Sequence, residues 1–272
     1  MEPTSGTSFM NGSQYRAADG RQQYEFCDAW VLIEGADQRW PAQMASEEGL
    51  SIDDSADIVR SFPEGRKKKL KLIQHGWAAD KSELRNRYAQ EADDGVLIVF
   101  DADEFLTKVD LGKLIERVAS ERDPSSVRIP HVHFWKNDKQ IITGGYYDVP
   151  HDRAYRVKGG VLYRENHNHP CVQGDDGRGW MRLNEINHAC YDRKFVTTDD
   201  GLRHDGPAWL HYGFVKEPQH VAAKNQYYVA RGEATTRPGT TRDRAAFFGE
   251  LPAECSIHQW SGAVPEVFQG SR

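Results

Sequence analysis

The feature that most constrains the fold is an uninterrupted apolar run, Val96 to Phe100, that leads directly into an acidic cluster. An apolar run without polar alternation is typical of a parallel strand that is covered on both faces of its sheet. Asp101, Asp103 and Glu104 follow within four positions. Carboxylates this close raise one another's pKa unless a positive group holds them. The cluster therefore indicates either an acidic turn that caps a helix or a site for a cation.

Helical and strand patterns alternate on both sides of this run. The patterns predict strands at 29–34, 69–73 and 96–100, helices at 80–92, 108–119 and 217–232, and a hairpin that turns at 137–138. Such alternation is typical of an α/β fold with a mostly parallel sheet flanked by helices. The short polar stretch 4–10 is interpreted as a first strand. Residues 170–206, which are rich in Gly and Asp, are interpreted as loops.

The composition argues against several classes of protein. The 272 residues carry a formal net charge of −6, so the chain as a whole does not attract nucleic acid or anionic lipid. The four cysteines show no CxxC spacing, which argues against a zinc knuckle and a disulfide framework. No stretch approaches the about eighteen apolar residues of a membrane span, and the first residues lack a signal-peptide pattern. A soluble, cytoplasmic protein is therefore expected.

The position of the acidic cluster favours a cation site. Ligands of open α/β sheets bind beyond the carboxyl ends of the strands, which is where Asp101 and Asp103 lie if 96–100 is a parallel strand. Carboxylates at positions i and i+2 can share one Mg²⁺ or Mn²⁺, and such an ion keeps coordination positions for phosphate oxygens. We therefore expect a divalent cation and a phosphorylated ligand at this turn.

Five segments, in this order along the chain, resemble a single family. They are DAWVLIEGA (28–36), DKSELRNRYAQEADDGVLIVFDADEFL (80–106), VRIPHVHFWKN (127–137), GGYYDVPHDRAYRV (144–157) and LHYGFVKEPQHVAAKNQYY (210–228). Together they resemble the GT-A-fold glycosyltransferases, particularly the family 2-like enzymes, in which a K…RN…A helix leads into an apolar strand that ends in a DxD motif. The resemblance covers about residues 26–230. It implies a metal-dependent glycosyltransferase of the hexosyltransferase type with a nucleotide-sugar donor, foremost a UDP-sugar, and a GT-A-like sheet with a smaller mixed acceptor-side subregion.

The resemblance also implies roles for individual residues. Asp103 would bind Mn²⁺ or Mg²⁺, Asp101 would help through water or the ribose, and His211 would complete the metal shell. The other residues implied at the nucleotide sugar are Glu34, Lys81, Arg85, Asn86 and Glu104. Packing beside neighbouring aromatic side chains is the alternative role of His211, and a solvated helix face is the alternative for the residues of 81–86.

The catalytic base departs from the family pattern. Related inverting enzymes carry a VHE motif near the position of RENHNHP (164–170), and here the glutamate after the histidine is absent. An inverting displacement needs a carboxylate or an imidazole within hydrogen-bond reach of the acceptor hydroxyl. Asp175 and Asp176 are predicted to supply this base, ahead of Glu165. The anomeric outcome stays open at this stage.

Two other functions are compatible with the sequence. The pairs HVH (131–133) and HNH (167–169) each place two histidines on one face of a strand, as in metal-dependent hydrolases. Only 139 residues follow His133, too few for most of a hydrolase barrel of about 250 residues. A non-catalytic module that binds a nucleotide or a sugar is the second alternative.

The chain is predicted to contain one nucleotide-sugar-binding half and one acceptor-binding half. The first half covers 1–125, the second covers 126–235 of the same domain, and 236–272 form a C-terminal tail. The acceptor is left open among a glycan, a protein, a lipid-linked sugar, a small molecule and a hydroxylated nucleic-acid base. The nucleic-acid option depends on the basic run 66–69 and on cationic loop residues, which are Arg178, Arg182, Arg193 and Lys194.

Overall fold

The computed structural model describes most of the chain. The described ranges are 3–9, 27, 29–62, 70–92, 95–120, 125–157, 160–164, 170–173, 180–183, 188–215, 218–232, 251 and 254–264. The strands are β1 (Pro3–Phe9), β2 (Ala29–Asp37), β3 (Leu70–Ala78), β4 (Gly95–Asp101), β5 (Glu104–Phe105), β6 (Ser126–Ile129), β7 (His131–Trp135), β8 (Gln140–Thr143), β9 (His151–Val157), β10 (Leu162–Tyr163), β11 (Pro170–Gln173), β12 (Trp180–Arg182), β13 (His188–Cys190), β14 (Phe195–Thr198), β15 (Gly201–His204), β16 (Trp209–Phe214) and β17 (Ser256–Gln259). The α-helices are α1 (Ser55–Arg60), α2 (Lys81–Ala89), α3 (Lys108–Ala119) and α4 (Pro218–Ala230), and 3-10 turns lie at Ala42–Met44 and Gly145–Asp148.

A seven-stranded, mostly parallel sheet forms the centre of the molecule. Its strand order is β13-β6-β9-β4-β1-β2-β3. Strands β1, β2, β3 and β4 all run parallel, whereas β9 runs antiparallel to both of its neighbours. The polar first strand predicted from the sequence is therefore confirmed, and it lies between β2 and β4. The α/β, GT-A-like fold predicted from the sequence is confirmed.

Strand β4 is buried on both faces, as its unbroken apolar run predicts. Leu97 and Val99 pack in one core cluster with side chains of α2. Val96, Ile98 and Phe100 pack in a second cluster with side chains of α3. Burial of each such side chain contributes roughly 1.5–3 kcal/mol to stability. The two helices therefore hold β4 from opposite sides and fix the position at which its acidic end emerges.

Helix α2 begins at the predicted cap. The Asp80 carboxylate accepts hydrogen bonds from the backbone N–H groups of Ser82 (2.7 Å) and Glu83 (3.2 Å). The Glu83 carboxylate reaches back to the N–H of Ala79 at 2.7 Å, one residue before the position that a capping box would use. Helix α4 also matches its prediction, and Gly232 ends it with a φ of 69°, a value that favours glycine.

A second sheet of five strands covers the end of the first and corresponds to the predicted mixed subregion. Its order is β17-β8-β7-β16-β5, with β16 and β7 parallel and the remaining pairs antiparallel. Strands β7 and β8 form the hairpin predicted to turn at 137–138. Strand β17 belongs to the stretch predicted as a C-terminal tail, and it pairs with β8 along the edge of this sheet.

The prediction that 170–206 are loops is wrong in part. Strands β11 to β15 lie within this stretch, and β14 and β15 form an antiparallel hairpin that turns at Asp199–Asp200. The second Asp-Asp-Gly sequence of this stretch, 199–201, forms the turn of the hairpin and the first residue of β15, because Asp and Gly favour tight turns between short strands. No α-helix in the described ranges is long and apolar enough to span a membrane.

Candidate functional site

The acidic cluster forms a short turn that links the two sheets. Asp101 is the last residue of β4 in the first sheet, and Glu104 is the first residue of β5 in the second. Glu104 is paired with His211 of β16. The backbone N–H of Tyr212 donates to the carbonyl oxygen of Asp103 at 2.8 Å. The turn is therefore held by backbone bonds where the carboxyl end of β4 meets the second sheet.

Two arginines supply the positive charge that the cluster requires. The two carboxylate oxygens of Asp101 accept hydrogen bonds from Arg85 of α2 and from Arg153 of β9, both at 2.9 Å. Arg153 also donates to Glu104 at 2.5 Å, and Glu104 accepts from the backbone N–H of Asp101 at 2.9 Å. Burial opposes the charge of Asp101, but Arg153 and Arg85 outweigh it and hold the pKa of Asp101 well below its usual range. Asp101 is therefore an ionised anchor of the turn.

Asp103 and His211 face each other beside a glycine. The Oδ1 atom of Asp103 lies 3.9 Å from Nε2 of His211. A Cβ atom on Gly213 would lie 2.5 Å from that Nε2 atom, 2.4 Å from Cε1 of the same ring and 3.2 Å from Oδ2 of Asp103. The glycine of the HYG sequence therefore leaves the space into which the His211 ring folds.

A group of buried histidines lies behind this pair. His131 is 3.2 Å from the Glu104 carboxylate, and Nδ1 of His133 lies 2.8 Å from Nδ1 of His211. Burial lowers the pKa of His211 to about 4 although Asp103 opposes the shift, and burial also lowers the pKa values of His131 and His133 well below their usual range. These three histidines are therefore neutral at pH 7.

Helix α4 brings a lysine to the same place. The ammonium of Lys224 lies 3.6 Å from Oδ2 of Asp103. Further along the same helix, the rings of Tyr227 and Tyr228 lie next to Lys81 of α2, whose ammonium is 5.1 Å from the centre of the Tyr227 ring. Burial lowers the pKa of Lys81, although Tyr228 and Asp101 partly oppose this shift. The site thus has cations on two sides of the acidic turn.

Two of the residues predicted to contact the nucleotide, Glu34 and Asn86, form hydrogen bonds with other parts of the protein. The carboxylate of Glu34 is buried in the middle of β2, where it accepts from the backbone N–H of Ser51 (3.0 Å) and from Gln74 (2.8 Å). The Asn86 side chain forms two hydrogen bonds with the backbone of Tyr163, at 2.6 and 3.0 Å. Their predicted roles at the nucleotide stay predictions, and these contacts favour a structural role for both side chains.

Strand β2 ends three residues beyond Glu34, at Asp37. Asp37 is buried and accepts hydrogen bonds from Arg39 (2.6 and 2.7 Å) and from the Tyr227 hydroxyl (3.2 Å). Burial opposes its charge, but the Arg39 hydrogen bonds outweigh this and lower the pKa of Asp37. The acidic residue at the carboxyl end of β2 is therefore Asp37, and it connects β2 to helix α4.

The predicted bases Asp175, Asp176 and Glu165 lie outside the described residues, as do the HNH histidines and the basic run 66–69. The sequence reasoning did not single out Arg153, Lys224 or the contact of His133 with His211. One signal was available for Arg153, because a buried group of carboxylates requires a positive partner and this arginine lies within a strand segment, HDRAYRV.

The Asp103–His211 pair suits a divalent cation. Asp103 and His211, whose Oδ1 and Nε2 atoms lie 3.9 Å apart, would hold the ion, since carboxylate oxygens and imidazole nitrogens are among the ligands that divalent cations take. The neutral imidazole, the carboxylate and the space next to Gly213 fit such an ion. Asp101 fits direct ligation less well, because both of its oxygens accept from arginines.

The number of protein ligands at this pair is small. Within the described ranges, no three His, Cys, Asp or Glu side chains are grouped so that they could hold a metal ion by themselves. Two protein ligands are sufficient where phosphate oxygens and water complete the shell, as is usual for Mg²⁺. The HVH pair alone does not form the metal site that a hydrolase would need, because its two rings face Glu104 and His211, respectively.

Structural similarity to solved proteins is low. TarS of S. aureus (residues 1–349) in complex with UDP-GlcNAc aligns with a TM-score of 0.38 and 14% identity over 49% of this chain and 35% of that chain. The mannosyltransferase PcManGT from Pyrobaculum calidifontis, in complex with GDP-Man and Mn²⁺, aligns with a TM-score of 0.38 and 16% identity over 48% and 35%. A further structure of TarS 1–349 aligns over 91% and 78% of the two chains, with a TM-score of 0.44 and 9% identity. The first two alignments span about a third of the matched chains. All three TM-scores are too low to transfer a ligand or an activity to this chain.

A family model gives the more direct comparison. No curated protein matches the chain. Residues 49–167 match the family described as Glycosyl transferase family 2. This stretch is less than half of the chain, and it contains helix α2, strand β4, the acidic turn, the HVH histidines and Arg153. Over these residues the resemblance to family 2 glycosyltransferases that the sequence predicts is confirmed.

Proposed function

We propose that the protein transfers a sugar from a nucleotide sugar, foremost a UDP-sugar, to a hydroxyl group of an acceptor, with the help of Mn²⁺ or Mg²⁺. The observation that carries this proposal is the Asp103–His211 pair at the carboxyl end of β4. Asp103 lies inside the stretch that matches family 2 glycosyltransferases, and His211 lies beyond it. A hexosyl group is the expected cargo. The nucleotide sugar binds mainly against 1–125 and the acceptor against 126–235, and His211 and Lys224 of the second half reach the cation and the diphosphate of the donor.

The side chains of the turn divide into two groups in this proposal. Asp103 and His211 hold the cation, and Lys224 lies close enough to Asp103 to reach the diphosphate of the donor. Arg85, Arg153 and Glu104 act indirectly, since they hold Asp101 and with it the backbone of the turn. Lys81 adds positive charge on the side of α2.

The chemical step is a displacement at the anomeric carbon. The acceptor oxygen forms a bond to this carbon while the bond to the diphosphate oxygen breaks, and the acceptor proton passes to a base. The bound cation would supply Lewis-acid stabilisation of the departing diphosphate. Preorganised positive charge near the leaving group lowers the barrier, because it costs no reorganisation during the reaction. Asp175 and Asp176, or Glu165, are proposed as the base.

A panel of nucleotide sugars tests this function directly. The melting temperature of the protein is measured with UDP-, GDP- and other nucleotide sugars, each with Mn²⁺ and with chelator. We expect a Mn²⁺-dependent increase for one donor class, foremost UDP-sugars, and no such increase in Asp103→Asn. No stabilisation by any donor with Mn²⁺ would refute the proposal.

The stabilising donor is then incubated with glycan, peptide and oligonucleotide acceptors, and products are followed by mass spectrometry. Growth of an acceptor by one sugar mass supports transfer. Release of sugar regardless of acceptor supports a hydrolase, and donor binding without any turnover supports a binding module.

A further inference from the structure

We propose that the hydroxyl group of Tyr227 positions helix α4 and, through it, the ammonium group of Lys224 beside Asp103. The hydroxyl does so by joining Asp37, at the end of β2, to Arg231 at the end of the same helix. The consequence for the diphosphate of the donor rests on the proposed function. The placement of the lysine does not depend on that function, so the two parts can be tested separately.

One face of helix α4 carries the side chains that make these contacts. Lys224, Tyr227 and Arg231 follow at spacings of three and four residues, which places them on the same face of a helix. Tyr227 is buried, and the side chains of Lys224 and Arg231 are 19% and 11% exposed. Gln226 and Val229, which lie between them in the sequence, are exposed. The face with the lysine is therefore the one that packs against the rest of the protein.

This face lies across the carboxyl ends of the central strands. At one end, the Lys224 ammonium is 3.6 Å from the Asp103 carboxylate in the turn after β4. At the other end, Arg231 is 3.7 Å from the Asp37 carboxylate, where β2 ends. Strand β1 lies between β4 and β2, so their ends are about 10 Å apart, and seven residues of α-helix rise by about the same distance. A contact at the β2 end therefore determines where the lysine lies at the β4 end.

The Tyr227 hydroxyl is the centre of the contact at the β2 end. It donates to the Asp37 carboxylate at 3.2 Å and accepts from Nη1 of Arg231 at 2.5 Å. Asp37 is only 4% exposed, and its carboxylate also accepts two hydrogen bonds from the Arg39 side chain, which fix it relative to β2. Loss of a donor to a buried carboxylate is costly, because water does not replace it. The hydroxyl therefore connects a fixed carboxylate to the last turn of α4.

The Tyr227 ring has contacts of its own that do not need the hydroxyl. Its centre lies 5.3 Å from the centre of the Trp40 ring and 5.1 Å from the ammonium of Lys81. Phenylalanine keeps the ring and removes only the hydroxyl. The substitution Tyr227→Phe therefore separates the hydrogen bonds from the packing of the helix.

Chemical labelling reads the position of Lys224 without metal or nucleotide. The wild type, Tyr227→Phe and the control Tyr191→Phe are acetylated briefly, and peptide mass spectrometry compares Lys224 with the exposed Lys139 of the same sample. We expect Lys224 to react about 5-fold faster in Tyr227→Phe, the size that loss of one typical hydrogen bond gives, because the ammonium is then less shielded beside Asp103. Equal reactivity in Tyr227→Phe and the wild type would overturn the proposal.

Tyr191→Phe is the matched control. The Tyr191 hydroxyl also donates one hydrogen bond, to a backbone carbonyl of the remote helix α3. Its removal should leave the reactivity of Lys224 unchanged. Equal acceleration in both variants would contradict a specific role of Tyr227.

Mn²⁺ affinity separates positioning from a general loosening of the fold. When the lysine leaves Asp103, its ammonium no longer competes with the ion, so Tyr227→Phe should bind Mn²⁺ more tightly than the wild type in the absence of nucleotide. Loosening of the whole site would weaken Mn²⁺ binding instead. Titrations followed by electron paramagnetic resonance measure this affinity. Weaker or unchanged Mn²⁺ binding in Tyr227→Phe would contradict the positioning role.

A double-mutant cycle tests whether the hydroxyl acts through the lysine. With Mn²⁺ present, Tyr227→Phe should weaken UDP binding about 5-fold in calorimetric titrations. In a Lys224→Met background there is no ammonium to position, so the same substitution should cause little further loss. A full loss in that background would show that Tyr227 acts on the nucleotide by another route. If Tyr227→Phe does not fold, Arg231→Gln replaces it, because it removes the other hydrogen bond of the hydroxyl.

Failure of the proposed function gives a different pattern. In that case the wild-type protein binds neither Mn²⁺ nor UDP, while Lys224 still reacts faster in Tyr227→Phe. A protein in which the reactivity of Lys224 does not respond to the residue at 227 contradicts the positioning role, whether or not metal binds.

Discussion

At the scale of single residues, the acidic turn assigns different tasks to side chains that look alike in the sequence. Asp101 and Asp103 are two positions apart, yet Asp101 is held by two arginines and Asp103 faces a histidine and a lysine. Their difference arises because Asp101 is the last residue of β4 whereas Asp103 lies in the turn before β5, where the strand rule that places residues i and i+2 on one face no longer holds. The sequence predicts the cluster, but it does not tell which carboxylate is the anchor.

Substitution of Gly213 tests whether the His211 ring occupies its observed place beside Asp103. Gly213→Ala should weaken Mn²⁺-dependent UDP binding, because the new Cβ atom would overlap the His211 ring at 2.4 and 2.5 Å and displace it from Asp103. Calorimetric titration of UDP with Mn²⁺ measures the change.

The control for this prediction is the same substitution in a His211→Ala background. There the added methyl group meets no ring, so Gly213→Ala should have little further effect, and the two changes should not be additive. Fully additive losses would show that Gly213 acts by a route other than His211.

At the scale of elements, helices and strands with a clear apolar pattern are predictable, whereas the contacts between distant elements are not. Strand β4 and helix α3 follow their patterns closely. Arg153 meets Asp101 only because β9 runs antiparallel to β4 with Ala154 opposite Ile98, a register that no local pattern specifies. Likewise, β2 continues past Glu34 to Asp37 because it stays paired with β3 through an irregularity at that point.

Helix α4 contributes the ammonium group of Lys224, which would compete with a metal ion for the Asp103 carboxylate. Lys224→Met should increase the affinity for Mn²⁺ measured without nucleotide, because a metal ion then no longer meets the ammonium at 3.6 Å from the carboxylate. A charge pair near 4 Å is worth a few kcal/mol at most near a protein surface, so an increase of about 10-fold is the expected size. With UDP present the gain should shrink or reverse, since Lys224 is proposed to contact the diphosphate.

Lys113→Met is the matched control, because it removes a lysine from a different helix, α3. It should change neither affinity. Lower Mn²⁺ affinity in Lys224→Met without nucleotide would contradict the competition between lysine and metal.

At the scale of the whole molecule, the two sheets meet at a group of buried and half-buried, neutral histidines. Burial lowers the pKa values of His131, His133, His151 and His211 below that of an exposed histidine. The unfolded chain therefore binds more protons than the folded one once the pH falls below about 6.5. Burial raises the pKa values of Glu104 and Asp110, which has the opposite effect, but these are two groups against four.

The free energy of unfolding should consequently change little between about pH 7 and 8 and fall as the pH decreases from about 6.5 towards 4, by about 1.4 kcal/mol per pH unit for each histidine that stays neutral. Urea titrations at a series of pH values measure this slope. In His131→Gln, which removes one of the four groups, the slope should be smaller. A stability that does not change between pH 6.5 and 4.5 would contradict the neutral histidine group.

Asp103 is proposed to hold a divalent cation and, through it, a nucleoside diphosphate. Isothermal titration of UDP into the wild-type protein, into Asp103→Asn and into the control Asp199→Asn, each with Mn²⁺ and with chelator, tests it most directly. Asp199 lies exposed in the turn between β14 and β15, so its substitution removes the same charge at a remote place. We expect Mn²⁺-dependent UDP binding in the wild type and in Asp199→Asn, and its loss in Asp103→Asn with little change in melting temperature. UDP binding of equal affinity in Asp103→Asn, or in the wild type with chelator, would contradict it.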